Sequence, residues 1–414
     1  MKNEQSSVSR SFYGWRILGL AILTGGLTGP GQTIGVSVFV DHFIADLGMS
    51  RSEVSTAYLI GTLIAALGLP RIGQQVDRVG VRRAMTVIGV AFGVALIAMA
   101  GVQGFVTLAI GFVAIRLFGQ GALMLSSTVA VTLWFEKRRG TVLGIFSTGT
   151  AIVMALVPVG LSLVIEGYGW RIAWLTSAVI IWLVVVPIAR YGMIDKPSDI
   201  GQVPDGPNPK AKKPPREQVT VSATRREALR TKRFWTLLGA SATVGMLSTA
   251  LNFHQISLLT DAGLTATEAA VMFLPQVIGA AAAGLLFGYL SDRLTGRWLI
   301  PFAMGLLTLS LFLAANLNPG LAIVLYAVSL GAAGGATRSV SVTLLPRWFG
   351  TRHIGEIQGI ASFINIASTA LGPVVFALAR DATGDYSGAA TWFVIMPLLA
   401  GIVATTIKPV LPSR

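Results

Sequence analysis

Long apolar blocks separated by short polar breaks organise this chain. A run of about 20 mostly apolar residues suffices for a helix to cross a hydrocarbon core of about 30 Å. Such runs recur at 14–43, 53–72, 84–102, 105–134, 141–165, 172–193, 235–260, 267–290, 298–316, 320–346, 354–379 and 388–408. Several exceed the minimum, so tilt or extension beyond the bilayer is expected. Lipid offers no partner for backbone N–H and C=O groups, which leaves only helices or a closed barrel. The ten-residue alternating strands of a barrel are absent. The pattern therefore predicts an all-α membrane protein of twelve transmembrane helices.

One segment stands apart. Residues 194–233 are polar, charged and proline-rich, as in PDGPNPKAKKPPREQ, which is a linker composition. It divides the chain into an N-terminal six-helix bundle (1–193), a cytoplasmic linker (194–233) and a C-terminal six-helix bundle (234–414). Ala223 to Arg233 reads equally as a short basic helix on the membrane surface or as a disordered tether.

The two blocks repeat each other. After span 2 comes GQQVDRVGVRR, with Gly73, Asp77, Arg78, Gly80, Arg82 and Arg83; after span 8 comes GYLSDRLTGRW, with Gly288, Asp292 and Arg293. Both read G-x-x-x-D-R, 215 residues apart. Trp134-Phe135 before Gly140-x-x-x-Gly144 is matched by Trp348-Phe349 before Gly355-x-x-x-Gly359, and Pro158 by Pro373. Recurrence in register points to duplication and to two pseudo-symmetric halves. The glycine permits close helix approach. The aspartate can pair with an arginine or a helix N-terminus, latching helices in one state and releasing them in another.

Charge then sets the orientation. Lys and Arg number 32 against 18 Asp and Glu, for a net charge of +14. With both ends inside, the outer loops hold only Arg51, Arg171 and Arg380, and Arg116 and Arg338 fall within spans. The other basic residues lie in inner loops and tails, which places both termini in the cytoplasm of a cell inner membrane. This distribution argues for a lipid bilayer rather than nucleic acid as the partner of the basic surface. The absence of cysteine excludes disulfides and thiolate metal sites, and no metal or cofactor is expected. No cleaved signal peptide is expected either, because no short apolar region with a small-residue cleavage site precedes span 1. No G-x-S-x-G, H-E-x-x-H or G-x-x-x-x-G-K-[ST] motif appears, so an enzyme is not expected.

The first of the paired loops resembles the major facilitator superfamily signature G-x-x-x-D-R-x-G-R-[RK], with Val81 at a position that is often Arg. Arg116-Leu-Phe-Gly-Gln120-Gly121 resembles the family's R-x-x-x-Q-G motif in span 4. Within that superfamily the sequence is most similar to the monocarboxylate porters and oxalate–formate antiporters. Tyr13-Gly14-Trp15-Arg16, Trp134 to Gly140, Trp348-Phe349-Gly350 with His353, Asp381 to Tyr386, and Lys196 to Asp199 carry that likeness. The resemblance implies two six-helix bundles around a central cavity with alternating access. Those porters carry a basic residue in span 8 or 11 that meets the substrate carboxylate; here neither span holds Lys or Arg.

Ionisable groups inside spans cost about 2.5–3.5 kcal/mol to insert, which makes each a functional candidate. Arg116 can hold a carboxylate with two parallel hydrogen bonds, or can serve as structural glue to backbone carbonyls. Arg338 can supply a second fork, or can snorkel to the inner surface. His254 can bind a proton or merely donate a hydrogen bond. Gln32, Tyr58, Gln120, Asn252, Gln276 and Asn365 are neutral candidates for the cavity wall. Carboxylates are confined to loops and span ends, so a cavity with two arginines should prefer an anion. His254 and Asp41 are the candidates for a coupled proton.

The expected function is secondary transport of a small organic anion, a monocarboxylate, by alternating access, with proton coupling or anion exchange, in a monomer. A proton-coupled drug or metabolite efflux antiporter is the main alternative. A non-transporting membrane sensor is the alternative of another class.

Overall fold

A computed structural model describes residues 12–136, 138–205, 223–291, 293–350 and 354–407. Eleven of its helices are long and apolar enough to cross a membrane. They are α4 (Arg51–Val79), α5 (Val81–Ala100), α6 (Phe105–Trp134), α7 (Arg139–Tyr168), α8 (Trp170–Gly192), α10 (Lys232–Asp261), α11 (Ala266–Ser291), α12 (Gly296–Ala315), α13 (Leu321–Phe349), α14 (Ile354–Thr383) and α15 (Tyr386–Thr405). Their outward faces carry exposed apolar side chains such as Val87, Leu183, Leu285 and Ile402, as lipid contact requires.

The first predicted span differs. It crosses in pieces: α1 (Gly14–Gly26), a 3₁₀ turn at Gly29–Gly31, α2 (Thr33–Val36), a second 3₁₀ turn and α3 (Val40–Leu47). Pro30 has no N–H to donate and Gly29 and Gly31 carry no side chain, which together weaken a regular helix at this point of the span. The glycines also bring this span against α7. A Cβ on Gly26 would lie 2.4 Å from Val153, and one on Gly29 2.6 Å from Val157.

Packing repeats across the two blocks. In the first, α1 packs on α6 and α7, α4 on α6, and α5 on α8. In the second, α10 packs on α13 and α14, α11 on α13, and α12 on α15. The duplication reaches single residues. Ser50–Glu53 and Thr265–Glu268 form equivalent capping boxes at the starts of α4 and α11. Gly48 and Gly263 share a positive φ before those helices, as do Gly169 and Gly384 before α8 and α15. Between blocks, α4 meets α14, α7 meets α11, and α2 and α3 meet α10.

The predicted linker is partly built into the fold. Asp195 Oδ1 accepts from Arg82 N at 2.8 Å, Trp134 Nε1 donates to Ile194 O at 3.1 Å, and Asp205 N donates to Trp134 O. At its far end Ala223 N donates to Phe349 O, and Arg225–Leu229 forms the short helix α9.

Candidate functional site

A cavity of about 660 Å³ lies between α10, α13 and α14. Its lining runs from Phe234 to Thr249 on α10, from Gly334 to Leu345 on α13 and from Gln358 to Thr369 on α14. These are the parts of the three helices nearest the face that carries both described chain ends. Arg338 is exposed on the cavity wall and has no protein partner among the described residues. It is also the cavity's only ionisable lining residue among those described.

Helical periodicity aims polar groups at this space. On α14, Gln358, Ser362, Asn365 and Thr369 follow one another at steps of four, three and four residues, which keeps them on one face. On α10, Ser241, Gly245 and Ser248 do the same. Asn365 Nδ2 donates to Ser241 O at 3.1 Å, and the Ser241 and Ser341 hydroxyls are 2.9 Å apart. These bonds join all three walls. Thr337 Oγ1 and Ser248 Oγ are buried and find no partner.

Arg116 sits elsewhere. It opens a π-helical stretch of α6, Arg116–Leu123, and is only 5% exposed. Its Nε donates to Thr62 Oγ1 at 3.1 Å and its Nη1 to Gly31 O at 3.3 Å, and its guanidinium lies 4.8 Å from the centre of the Tyr58 ring. Tyr58 in turn bonds Thr33 Oγ1 at 2.6 Å and packs on Phe253 of α10. Arg116 therefore supports the break in the first span, and the Tyr58 ring stands between it and Phe253 of the second half. The two arginines are not brought together.

The face opposite the chain ends is closed. Asp41 and Arg51 form an ion pair at 2.6 Å. Ser257 of α10 donates to the Asp41 carboxylate and accepts from Arg51 Nη1 at 2.8 Å. Thr267 of α11 donates to Glu166 of α7 at 2.5 Å. His254 is fully buried beside this network; its Nε2 donates to Pro373 O at 3.0 Å, which leaves Nδ1 toward Tyr386 Oη at 3.5 Å.

The remaining candidates are dispersed. Gln276 Nε2 donates to Asn252 Oδ1 at 2.7 Å, Gln32 Nε2 donates to Thr28 Oγ1, and Gln120 Oε1 is buried without a partner. Of these, Asn365 joins Arg338 in the cavity wall. Around the first signature loop, Asp77 is exposed and in no ion pair among the described residues, while Gly80 lies against Asp195. Asp292 and His353 lie outside the described residues; Arg293 stacks its guanidinium 4.2 Å from the Tyr289 ring. Sequence reasoning missed Asp195, Ser257 and the stripe on α14. The stripe's spacing was a usable signal; the other two depend on long-range contacts.

The Major Facilitator Superfamily sequence profile matches residues 20–279 and 253–414. The chain belongs to the major facilitator superfamily. It is thus a multi-pass membrane transporter with a small-molecule substrate. It is 25% identical over 372 residues to the MFS transporter asaE of Aspergillus flavus, covering 86% of this chain and 78% of that protein. It is 22% identical to monocarboxylate transporter 11 of Homo sapiens (91% and 79% covered) and 25% identical to monocarboxylate transporter 13 of Rattus norvegicus (91% and 84%). Among solved structures, a bacterial homolog of the human lysosomal transporter Spinster, inward-facing and unoccupied, matches with a TM-score of 0.74 at 18% identity, covering 96% of this chain and 97% of that one. The nucleoside transporter NupG matches with a TM-score of 0.74 at 13% identity, over 95% and 98%.

Proposed function

We propose that this transporter is a secondary carrier of small organic anions, monocarboxylates, and that Arg338 is the residue that meets the carboxylate. The observation that carries this reading is a guanidinium exposed in the cavity with no acid beside it. A cation with no counter-charge attracts an anion, and the planar fork of arginine matches a carboxylate. The monocarboxylate transporters among the relatives support the same class.

Arg338 takes the place of the basic residue that spans 8 and 11 lack. The bundles of residues 1–193 and 234–414 rock about a midplane site, joined by the linker. The excess of basic residues on the face carrying the chain ends makes that face cytoplasmic. The cavity then opens inward, and the Asp41–Arg51–Ser257 network is the outer closure. Protonating Asp41 would remove its charge from that closure, which gives a coupled proton a route.

Uptake of labelled lactate, pyruvate, oxalate and formate into proteoliposomes tests the reading, with a cationic dye as control. An anion should be carried, and Arg338→Ala should weaken its binding about tenfold or more, because the carboxylate loses its charge-assisted hydrogen bonds. Arg338→Lys should recover part of the loss. Transport of the dye alone, unchanged by Arg338→Ala, would return the efflux alternative.

A further inference from the structure

From the chemistry of the cavity wall we infer that the preferred anion is a polyhydroxylated monocarboxylate of sugar-acid type; this rests on the reading of Arg338 as the carboxylate ligand. A single free cation without a second charged group selects one negative charge. The rest of the wall is laid out for neutral hydrogen bonding. Gln358, Ser362 and Asn365 form a stripe along α14, Ser248 and Thr249 face them from α10, and Thr337 adjoins Arg338 on α13. Four residues of the stripe, Gln358 to Thr369, span 11 helical steps, or about 16 Å.

Two observations show that this polarity points to a ligand. Thr337 is only 7% exposed, and its Oγ1 has no partner. A hydroxyl so buried has lost its bonds to bulk water, and a polar group that enters the cavity beside it would satisfy it. Ser248 Oγ, on the opposite wall, is likewise buried without a partner. The volume, about 660 Å³, also far exceeds a three-carbon acid. A short-chain acid would use Arg338 and leave the stripe idle. A chain of hydroxyls beyond the carboxylate engages both, and each hydroxyl must be offered a partner when it leaves water.

The test is uptake of radiolabelled gluconate by the full chain in proteoliposomes, with lactate, propionate and sorbitol as competitors. Gluconate should be carried with a KM about tenfold or more below that of lactate or propionate, and sorbitol should not compete. Thr337→Val keeps the shape and removes the unpartnered hydroxyl, so folding should be unaffected. It should raise the KM for gluconate about tenfold and that for lactate far less. Lactate carried as well as gluconate, or uptake of neither acid, would overturn the inference. Equal effects of Thr337→Val on both acids would overturn it too, because the hydroxyl would then only hydrate the cavity. Lactate transport that depends on Arg338 would leave the broader anion reading standing, whereas sorbitol uptake that is indifferent to Arg338→Ala would remove both.

Discussion

The Ser257 hydroxyl lies 2.8 and 2.7 Å from the two carboxylate oxygens of Asp41, joining helices that are 216 residues apart in the chain. Arg51, from the same half as Asp41, donates to that hydroxyl as well. One small side chain therefore closes an ion pair of the first half onto the second.

Ser257→Ala should loosen this closure by roughly 1–3 kcal/mol, since it removes the hydrogen bonds that tie the Asp41–Arg51 pair to the second half. The chain has no cysteine, so spin labels on cysteines introduced at Tyr168 and Leu321 report the separation of the halves without background. Both positions are exposed at the closed face. The expected outcome is a larger population at long distance. Neighbouring Gln255 is fully buried with neither amide atom bonded, and Gln255→Leu should move the same distribution the other way. Distances that do not respond to Ser257→Ala would show that apolar packing alone closes this face.

Arg116→Ala should act mainly on stability. Loss of the guanidinium leaves Thr62 and Gly31 O without their donor beside the broken first span, at a cost of roughly 1–3 kcal/mol per buried group. The melting temperature in detergent should fall, with the anion Kd changed less than tenfold. An unchanged melting temperature together with a large loss of affinity would instead place Arg116 in the binding site.

Gly80→Ala should destabilise the loop after α4. Gly80 has φ 84° and ψ 157°, a region open almost only to glycine. An added Cβ would also lie 2.7 Å from the Asp195 carboxylate that accepts from Arg82 N. Strain of this kind costs about 1–3 kcal/mol. Asp195→Asn, which keeps the size and removes the charge, should lower the melting temperature less. If Gly80→Ala melts with the wild type, the contact between this loop and the end of α8 is dispensable.

Asp46 gives the closed face an acid-sensitive element. The indole N–H of Trp170, 2.7 Å away, holds its carboxyl below the usual range; loss of water opposes this, and Arg171 adds to the lowering. Because the folded value is the lower one, the stabilisation is present above the unfolded pKa of about 4. It fades as the pH falls through the folded value. Asp46→Asn should therefore melt below the wild type at pH 6–7, and the gap should close as the pH falls below the ordinary carboxylate range. Parallel melting curves across that range would mean the contact contributes nothing.

Much of the fold was legible in the residue pattern. Apolar runs of bilayer length had to be helices, because backbone polar groups find no partner in lipid. The 215-residue offset of G-x-x-x-D-R announced the duplication. The same offset also relates Ser50 to Thr265, Gly48 to Gly263 and Gly169 to Gly384, where capping and positive φ depend only on local chain geometry. The break at Gly29–Gly31 was written in the same local terms and went unread. The site was a different matter. Sequence gives an intramembrane arginine its insertion cost but not its surroundings. Arg116 and Arg338 looked alike in the sequence, yet packing seals one against Thr62, Gly31 and Tyr58 and leaves the other bare in a cavity. Likewise, only tertiary contact could pair Ser257 with Asp41 or Asp195 with Arg82. Periodicity follows from neighbours a few residues apart, whereas the partner of a buried polar group is set by helices that meet after long stretches of intervening chain, 54 residues for Arg116 and Thr62 and 216 for Asp41 and Ser257.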